Sequence, residues 1–75
     1  MKHTNSKTQA VRDALIKRAR PMSILELITD VERRLKQVIG KHTMYSLLSQ
    51  MINAGELDSV GRGDDHRFYW FRTAP

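Results

Sequence analysis

The first apolar pattern in the chain has the spacing of an α-helix and predicts a helix from about Lys7 to Arg18. Ser6 and Gln9 stand at the spacing of a capping box, in which the serine caps the helix and the glutamine reaches back to it. Pro21 ends this helix, because the residue before a proline is pushed out of the helical region. Ile16 lies off the apolar stripe, so we expect it to be partly exposed. The stripe itself consists of Val11, Ala14, Leu15 and Ala19.

A second helix is predicted from Ile24 to Leu35 or Lys36, directly after another capping box that runs from Ser23 to Glu26. Met22 and Ser23 leave room for a short strand before it. Most charged residues of the helix fall off its apolar stripe and are expected on a solvated face, although Arg33 or Arg34 is also able to reach a phosphate. The charged residues are Asp30, Glu32, Arg33, Arg34 and Lys36. The stripe consists of Ile24, Leu27, Ile28, Val31 and Leu35.

The most regular helical pattern begins near Lys41 and ends at residues 53–55. Gly55 is placed to take the left-handed conformation that closes a helix. Residues 37–40 are too few for an element and predict a turn, in which we expect Val38 and Ile39 to be tucked in. The apolar positions of the third helix follow the order i, i+3, i+4, i+7 and i+8: Met44, Leu47, Leu48, Met51 and Ile52.

After the third helix the pattern changes to that of β-strands. Residues 56–60 and 67–72 are each predicted as a strand, and residues 61–66 between them are rich in turn formers. The second strand has four consecutive aromatic residues, and alternation places two on each face. We expect the inward pair to be Tyr69 and Phe71, and the partly exposed pair to be Phe68 and Trp70. The exposed pair is covered by the first helix or the termini, serves self-association or a protein partner, or, as a weaker alternative, stacks on single-stranded RNA.

Three helices followed by a β-hairpin form an α+β layout, that of the winged helix-turn-helix domain. The second and third helices are joined by a short turn that contains Gly40, as a helix-turn-helix motif requires. The predicted organisation is a flexible N-terminal tail over residues 1–6, one winged-helix domain over residues 7–72, and a C-terminal tail over residues 73–75.

The composition agrees with one small domain. The chain has 75 residues, 40% of them hydrophobic, and no cysteine, so disulfides and thiolate metal sites are excluded. A polar N-terminus and the lack of a run of about 20 apolar residues predict a cytoplasmic, nucleoid-associated protein without membrane contact. The net charge of +5 comes from 13 Lys and Arg against 8 Asp and Glu. It favours a polyanion such as nucleic acid as partner, although the same charge also serves solubility alone.

The third helix offers a face suited to reading DNA, since in a helix-turn-helix domain this helix enters the major groove. No carboxylate occurs from Lys41 to Ala54, and Lys41 stands where the helix dipole favours a phosphate. An ordinary solvated surface is the alternative interpretation of the face. A rotation of 100° per residue places hydrogen-bonding side chains opposite the apolar stripe, with Thr43 and Tyr45 on the flanks: His42, Ser46, Ser49, Gln50 and Asn53.

The hairpin carries charges of both signs near its tip. Arg62 and Arg67 are suited to a phosphate or to a narrow minor groove. Asp64 and Asp65 lie between them and would be repelled by DNA. The tip therefore points away from DNA while the arginines touch it, or the wing contacts protein instead.

The segment from Thr43 to Leu57 resembles the threonine-apolar-tyrosine recognition helix of the ferric uptake regulator family, which also runs into an Ala-Gly before the wing. The resemblance extends loosely from Val11 to Phe71 in the order and spacing of elements. It implies that Tyr45 contacts a base or a phosphate and that Thr43 and Ser46 lie close to the DNA backbone. The family has arginine after that tyrosine, where this chain has Ser46. Its metal-sensing and dimerisation region is absent from this sequence, so no metal and no cofactor are expected. The histidines are scattered along the chain: His3, His42 and His66.

The leading hypothesis is sequence-specific binding of duplex DNA by a small transcription regulator, as a homodimer or cooperatively. The alternative is a winged-helix protein-interaction module that uses Phe68, Trp70 and the acidic wing tip. An enzyme is not expected, because the sequence has no Gly-rich phosphate loop, no paired-carboxylate spacing and no Ser/His/Asp constellation. The candidate DNA contacts are Lys41, His42, Thr43, Tyr45, Ser46, Ser49, Gln50, Arg62 and Arg67.

Overall fold

Three helices are followed by a β-hairpin, and a two-residue strand before the second helix completes a three-stranded antiparallel sheet. The computed structural model describes residues 6–61 and 66–72. The α+β winged-helix layout is confirmed, as are the bounds of the second and third helices. The elements are α1 (Ser6–Arg18), β1 (Met22–Ser23), α2 (Ile24–Leu35), α3 (Lys41–Asn53), β2 (Leu57–Val60) and β3 (Phe68–Phe71).

The ends of the chain and the hairpin tip limit what the structure says of the predicted domain bounds. Ser6, predicted as the last residue of the tail, belongs to α1. The rest of the two predicted tails, residues 1–5 and 73–75, lies outside the described residues. The same holds for residues 62–65 of the predicted turn.

The two predicted capping boxes have different outcomes. At α2 the box is confirmed, because the Glu26 amide donates to Ser23 Oγ at 3.3 Å and the Ser23 amide donates to Glu26 Oε1 at 3.1 Å. At α1 the box is wrong. Gln9 Nε2 donates to Asp13 Oδ1 at 3.0 Å, and Gln9 Oε1 accepts from Arg12 at 3.2 Å, so this side chain runs along the helix instead of back to its start.

The end of α3 forms the predicted left-handed stop. Gly55 has φ of +81°, a conformation that costs glycine little because it has no Cβ. Its amide donates to the Ile52 carbonyl and the Glu56 amide donates to the Met51 carbonyl, both at 2.9 Å. These two bonds are the pair of a Schellman motif, and they satisfy carbonyls that the helix leaves without partners. The chain is thereby turned directly into β2.

One face of the sheet packs on the helices. β3 lies between β1 and β2, with Tyr69 opposite Met22 and Phe71 opposite Leu57. Paired residues of an antiparallel sheet share a face, so these four side chains point the same way. Met22, Leu57 and Tyr69 are buried, and Phe71 packs against the core. The prediction that Tyr69 and Phe71 face inward is confirmed.

The apolar stripes of the three helices meet this sheet face in one core, but two of the expected members are absent. Ala19 lies beyond the end of α1 with φ of +55° and is exposed, because the chain leaves the helix before Pro21. Val38 is 90% exposed, whereas its neighbour Ile39 is buried. The Ile39 amide donates to Glu32 Oε2 at 2.8 Å, so the turn is anchored with Ile39 inward and Val38 outward. Ile16 is 53% exposed, as predicted.

Asp30 was expected on a solvated face of α2, and this prediction is wrong because the residue is only 4% exposed. Its carboxylate accepts from Arg18 of α1 at 3.1 and 3.2 Å and from Arg33 at 3.2 Å. Hydrogen bonding from Arg18 outweighs burial and lowers the pKa of Asp30. The buried carboxylate therefore remains charged and ties α2 to the end of α1.

Candidate nucleic-acid interface

The outward side of α3 has the composition expected of a DNA-reading surface. The helix turns its apolar stripe to the core, where Met44, Leu47, Leu48 and Met51 are buried. Rotation by 100° per residue then places seven polar or charged positions in solvent, while Tyr45 and Ile52 on the flanks are half-buried. We call these seven residues the α3 face, and all of them are exposed: Lys41, His42, Thr43, Ser46, Ser49, Gln50 and Asn53.

The start of α3 adds backbone donors to this face. Gly40 is the N-cap and supplies no side-chain hydrogen bond to the first turn. The first turn also contains no acidic residue. Amide groups of a first helical turn have no partner within the helix, and the helix dipole makes this end electropositive. An anion is therefore favoured beside Lys41 and His42.

Tyr45 is oriented differently from the polar residues around it. The ring is half-buried and packs against the core, and its hydroxyl oxygen is buried. The resemblance to the ferric uptake regulator family implies a DNA contact for this tyrosine. Because the hydroxyl is buried in this structure, that contact stays a prediction, and packing is the role that the geometry supports.

Arg67 brings the hairpin and α3 together. Its Nη1 donates to Ser59 Oγ at 3.1 Å, which holds the half-buried side chain on the inner side of the hairpin. Arg67, Ser49 and Tyr45 line one open groove of about 450 Å³ between α3 and the sheet. The structure thus unites one predicted wing residue with two predicted residues of α3. Arg62, Asp64 and Asp65 lie outside the described residues.

The outer face of the sheet carries the remaining candidates. Phe68 is 43% exposed and Trp70 is half-buried, in agreement with the predicted partial exposure of this pair. Val60 lies opposite Phe68 and is 60% exposed, so it enlarges the apolar surface. Sequence reasoning did not single out Val60. Its place is set by the register of β2 against β3, which only the folded hairpin determines.

The α1 end of the sheet forms a separate apolar groove. Its volume is about 530 Å³, and Trp70 and Phe71 line it on the sheet side while Ile16 and Pro21 line it on the other. No residue of the α3 face contributes to it. Neither Ile16 nor Pro21 was predicted as a surface contact, because nothing local in their sequence indicates where β3 lies.

Two features that mark other classes of protein are absent from the described residues. Within residues 6–61 and 66–72, none of the helices has the length and apolar character needed to cross a bilayer. In the same part of the chain, His, Asp and Glu side chains form no cluster of three that could hold a metal ion.

The helices and hairpin define a winged-helix domain, and comparison with solved structures agrees. A structure of HOP2, described through its DNA recognition and protein interaction domains, aligns with a TM-score of 0.68 at 18% identity, over 89% of this chain and 98% of the HOP2 chain. The iron-bound ferric uptake regulator from Francisella tularensis aligns with a TM-score of 0.70 at 15% identity, over 100% of this chain and 56% of that chain.

The chain therefore has the winged-helix fold and resembles the DNA-binding domain of the ferric uptake regulator, while it spans little more than half of that protein. At these identities the likeness shows the fold alone. Comparison of the sequence with protein-family models and with curated proteins finds no match.

Proposed function

We propose that this domain binds duplex DNA sequence-specifically as a small transcription regulator, with α3 in the major groove and the wing on the backbone or in the minor groove. The observation that carries the proposal is the α3 face, on which seven exposed side chains follow one another without a carboxylate. Base edges in the major groove present donors and acceptors in a pattern distinct for each base pair. Amide, hydroxyl and imidazole groups match that pattern, and a carboxylate would be repelled by the phosphates.

The proposal assigns different tasks to different parts of the face. His42, Ser46, Ser49 and Gln50 read bases, and Lys41 binds a phosphate at the helix start. Thr43 lies close to the backbone, as the family resemblance implies for it and for Ser46. The contact that the same resemblance implies for Tyr45 would require its buried hydroxyl to become exposed. The proposed wing contacts are Arg62 and Arg67.

The compared proteins support this choice by what they are described as doing. The HOP2 structure concerns DNA recognition, and the other protein is named as a regulator. The proposal makes the chain a binding protein rather than an enzyme. A single module of this size buries roughly 600–1,000 Å² on DNA, which gives weak binding by one copy. We therefore expect a homodimer or cooperative binding on a repeated or palindromic site.

Selection of bound sequences from a random duplex pool tests the proposal directly. We expect a recovered motif, and repeat symmetry in that motif would report two copies of the domain. Recovery of a pool without any enriched sequence would contradict sequence-specific binding.

A pair of matched substitutions then tests the α3 face. Gln50→Ala removes an amide from the face, and Gln37→Ala removes the same group from the exposed turn before α3. Loss of one good base contact costs about 1–3 kcal/mol of discrimination, which is roughly 5- to 150-fold in binding to the selected motif. We expect that loss for Gln50→Ala and none for Gln37→Ala. Equal affinities of the two variants would contradict a base contact by Gln50.

A second candidate function rests on the outer sheet face, where Val60 and Phe68 are exposed side by side. A protein-interaction module would use this apolar surface and the wing instead of α3. Binding to the selected motif that falls steeply with salt favours the first proposal, because each neutralised phosphate adds about −0.9 to the log–log slope. Absence of salt-dependent DNA binding, together with self-association that Phe68→Ser abolishes, would favour the second.

A further inference from the structure

The net positive charge of this chain lies outside the part that contains the α3 face. Residues 1–40 contain nine Lys and Arg against four Asp and Glu, a net of +5. Residues 41–75, which include α3 and the hairpin, contain four of each and are neutral. The whole net charge of +5 thus belongs to the half of the chain that forms α1, β1 and α2. Long-range attraction to a polyanion follows this charge and not the neutral half.

Much of that charge is gathered in one groove between α1 and α2, with a volume of about 580 Å³. We call it the basic groove, and it is lined by Lys17, Arg18, Arg20, Asp30, Arg33 and Arg34. Five of these residues are cationic. Asp30 is the acidic residue among them, and Glu26 pairs with Arg20 at 2.6 Å beside the groove. A net excess of positive charge therefore remains at this surface.

Asp30 organises the groove without using up its donors. The carboxylate accepts two bonds from Arg18 and one from Arg33, while the side chains of the two arginines stay 43% and 67% exposed. A guanidinium has five N–H donors, so both arginines retain donors for an outside acceptor. Their positions are fixed in advance by a buried group, which reduces the entropy lost when an anion binds.

The basic groove lies on the flank of α2 that is turned away from α3. Asp30 and Arg34 face α1, where Asp30 bonds Arg18 and Arg34 donates to the Asp13 carbonyl at 3.5 Å. Glu32 binds the turn that leads to α3, because its Oε2 accepts from the Ile39 amide. Asp30 and Glu32 are two residues apart, which is about 200° around a helix. The contact with α1 and the turn that leads to α3 therefore lie on opposite sides of α2. From this placement we infer that one straight duplex does not occupy both the α3 face and the basic groove.

We propose that the basic groove binds the phosphodiester backbone of a second segment of duplex DNA. The groove shares no residue with the α3 face, so this goes beyond the proposed function. Anchored arginines favour phosphate, because the planar guanidinium fork matches two phosphate oxygens and three of the groove's cations are arginines paired to a fixed carboxylate. A domain with both surfaces holds two DNA segments together.

Salt titration of binding to a random-sequence duplex tests the groove without reference to α3. The variant Lys17→Gln/Arg33→Gln removes two groove charges and leaves both bonds from Arg18 to Asp30. The control Lys36→Gln/Arg72→Gln removes the same residue types from exposed positions outside the groove. Two lost phosphate contacts lower the log–log slope by roughly 1.8. Between 50 and 200 mM salt, wild type should then lose roughly 12-fold more affinity than the groove variant.

The control decides how that result is interpreted. We expect the control to keep the wild-type slope, and thermal melting should show that both variants are folded. An equal fall of the slope in both variants would overturn the proposal, because binding would then follow net charge alone. An unchanged slope in the groove variant would also overturn it, as expected if the groove faces an acidic protein surface.

Bridging tests the second segment and rests on the proposed binding by α3. A bead-bound duplex carrying the selected motif is loaded with protein and offered a labelled random duplex. Wild type and the control should capture the label, and the groove variant should not. Capture that survives in the groove variant would assign bridging to a dimer of α3 faces and overturn the second-segment proposal. A chain that selects no motif but shows the expected slopes would instead refute the proposed function and leave the groove assignment standing.

Discussion

Replacement of Asp30 by asparagine is the sharpest test of how this small domain is held together. The carboxylate is buried at the junction of α1 and α2, where Oδ2 accepts from Arg18 Nε at 3.1 Å and Oδ1 accepts from Arg18 Nη2 and Arg33 Nη1 at 3.2 Å. Asparagine has the same shape, and its oxygen can keep the two bonds at the Oδ1 position. Its amide nitrogen then faces the Nε–H of Arg18, so one charged hydrogen bond is replaced by two opposed donors.

The loss of stability in Asp30→Asn depends on whether the arginine partners can be hydrated once a bond is lost. A hydrogen bond to a charged group contributes about 1.5–3 kcal/mol net. Arg18 and Arg33 are partly exposed and regain water when the bond is lost, so the lower end applies. We expect Asp30→Asn to lower the free energy of unfolding by about 1.5 kcal/mol. For a domain of 60–100 residues that corresponds to a fall of roughly 6–12 °C in Tm.

The pH dependence of this effect distinguishes a contribution of the Asp30 charge from a contribution of its packing. Because hydrogen bonding from Arg18 lowers the pKa of Asp30 in the folded state, its contribution to stability is complete above the unfolded pKa near 3.8. The contribution is lost as the pH falls from there through the lower folded pKa. Urea unfolding followed by circular dichroism should therefore show the full difference between wild type and variant at pH 7 and a shrinking one below pH 3.8.

Asp58→Asn is the matched control, since Asp58 is exposed on β2 and its Oδ1 accepts from the Ser59 amide, a bond that asparagine retains. We expect the control to change stability by less than about 0.5 kcal/mol. An Asp30→Asn variant as stable as this control at pH 7, or a deficit that persists unchanged at pH 2, would refute the electrostatic account of the α1–α2 junction.

Three further substitutions, one of them with a matched control, probe other parts of the fold. Ala19→Gly should raise Tm and stabilise the domain by about 0.5–1 kcal/mol, because Ala19 has φ of +55° where glycine pays no Cβ penalty; a lower Tm would contradict that left-handed stop. Leu27→Ala should cost about 2–5 kcal/mol in urea unfolding, since Leu27 is fully buried, whereas Leu25→Ala, at a position 56% exposed, should be close to neutral. Glu26→Gln should destabilise at pH 7, because hydrogen bonds from Arg20 and the Ser23 amide lower the pKa of Glu26 to about 2. The loss of stability should fade as the pH is lowered from 4.5 to 2. A loss that does not change with pH would show that the charge of Glu26 is not involved.

The elements were predictable because the signals that define them are local. The stripe of α3 repeats over nine residues, the Ser23–Glu26 box closes within one turn, and Gly55 supplies the conformation that ends the helix. The aromatic strand was predictable in its alternation as well, since Tyr69 inward and Phe68 outward follow from the period of two. None of these features needs a partner that is distant in the sequence.

The features that sequence reasoning missed depend on contacts between elements. Asp30 is buried because α1 delivers Arg18 to it across 12 residues, and a charged residue beside two arginines gives no local sign of that. Gln9 was predicted to bond back to Ser6 at the helix start, but its side chain instead bonds Asp13, one helical turn further on. The burial of the Tyr45 hydroxyl depends on how its ring packs against the core, which the pattern of α3 alone does not specify. The basic groove was missed for the same reason, because its residues come together only when α1 and α2 lie side by side.

The placement of charge also limits which functional properties can be inferred from a shared fold. Two winged-helix proteins at 15% and 18% identity share this backbone, yet a backbone does not determine which of its surfaces carries charge. In this chain the α3–hairpin half is neutral, so a reading role for α3 depends on hydrogen-bond geometry and on the partial charge of its helix start rather than on long-range attraction. Long-range attraction to DNA follows the net charge of residues 1–40, and the basic groove is where α1 and α2 concentrate that charge. In our proposals, sequence reading and DNA attraction therefore belong to two surfaces of one small domain, and substitutions should separate them.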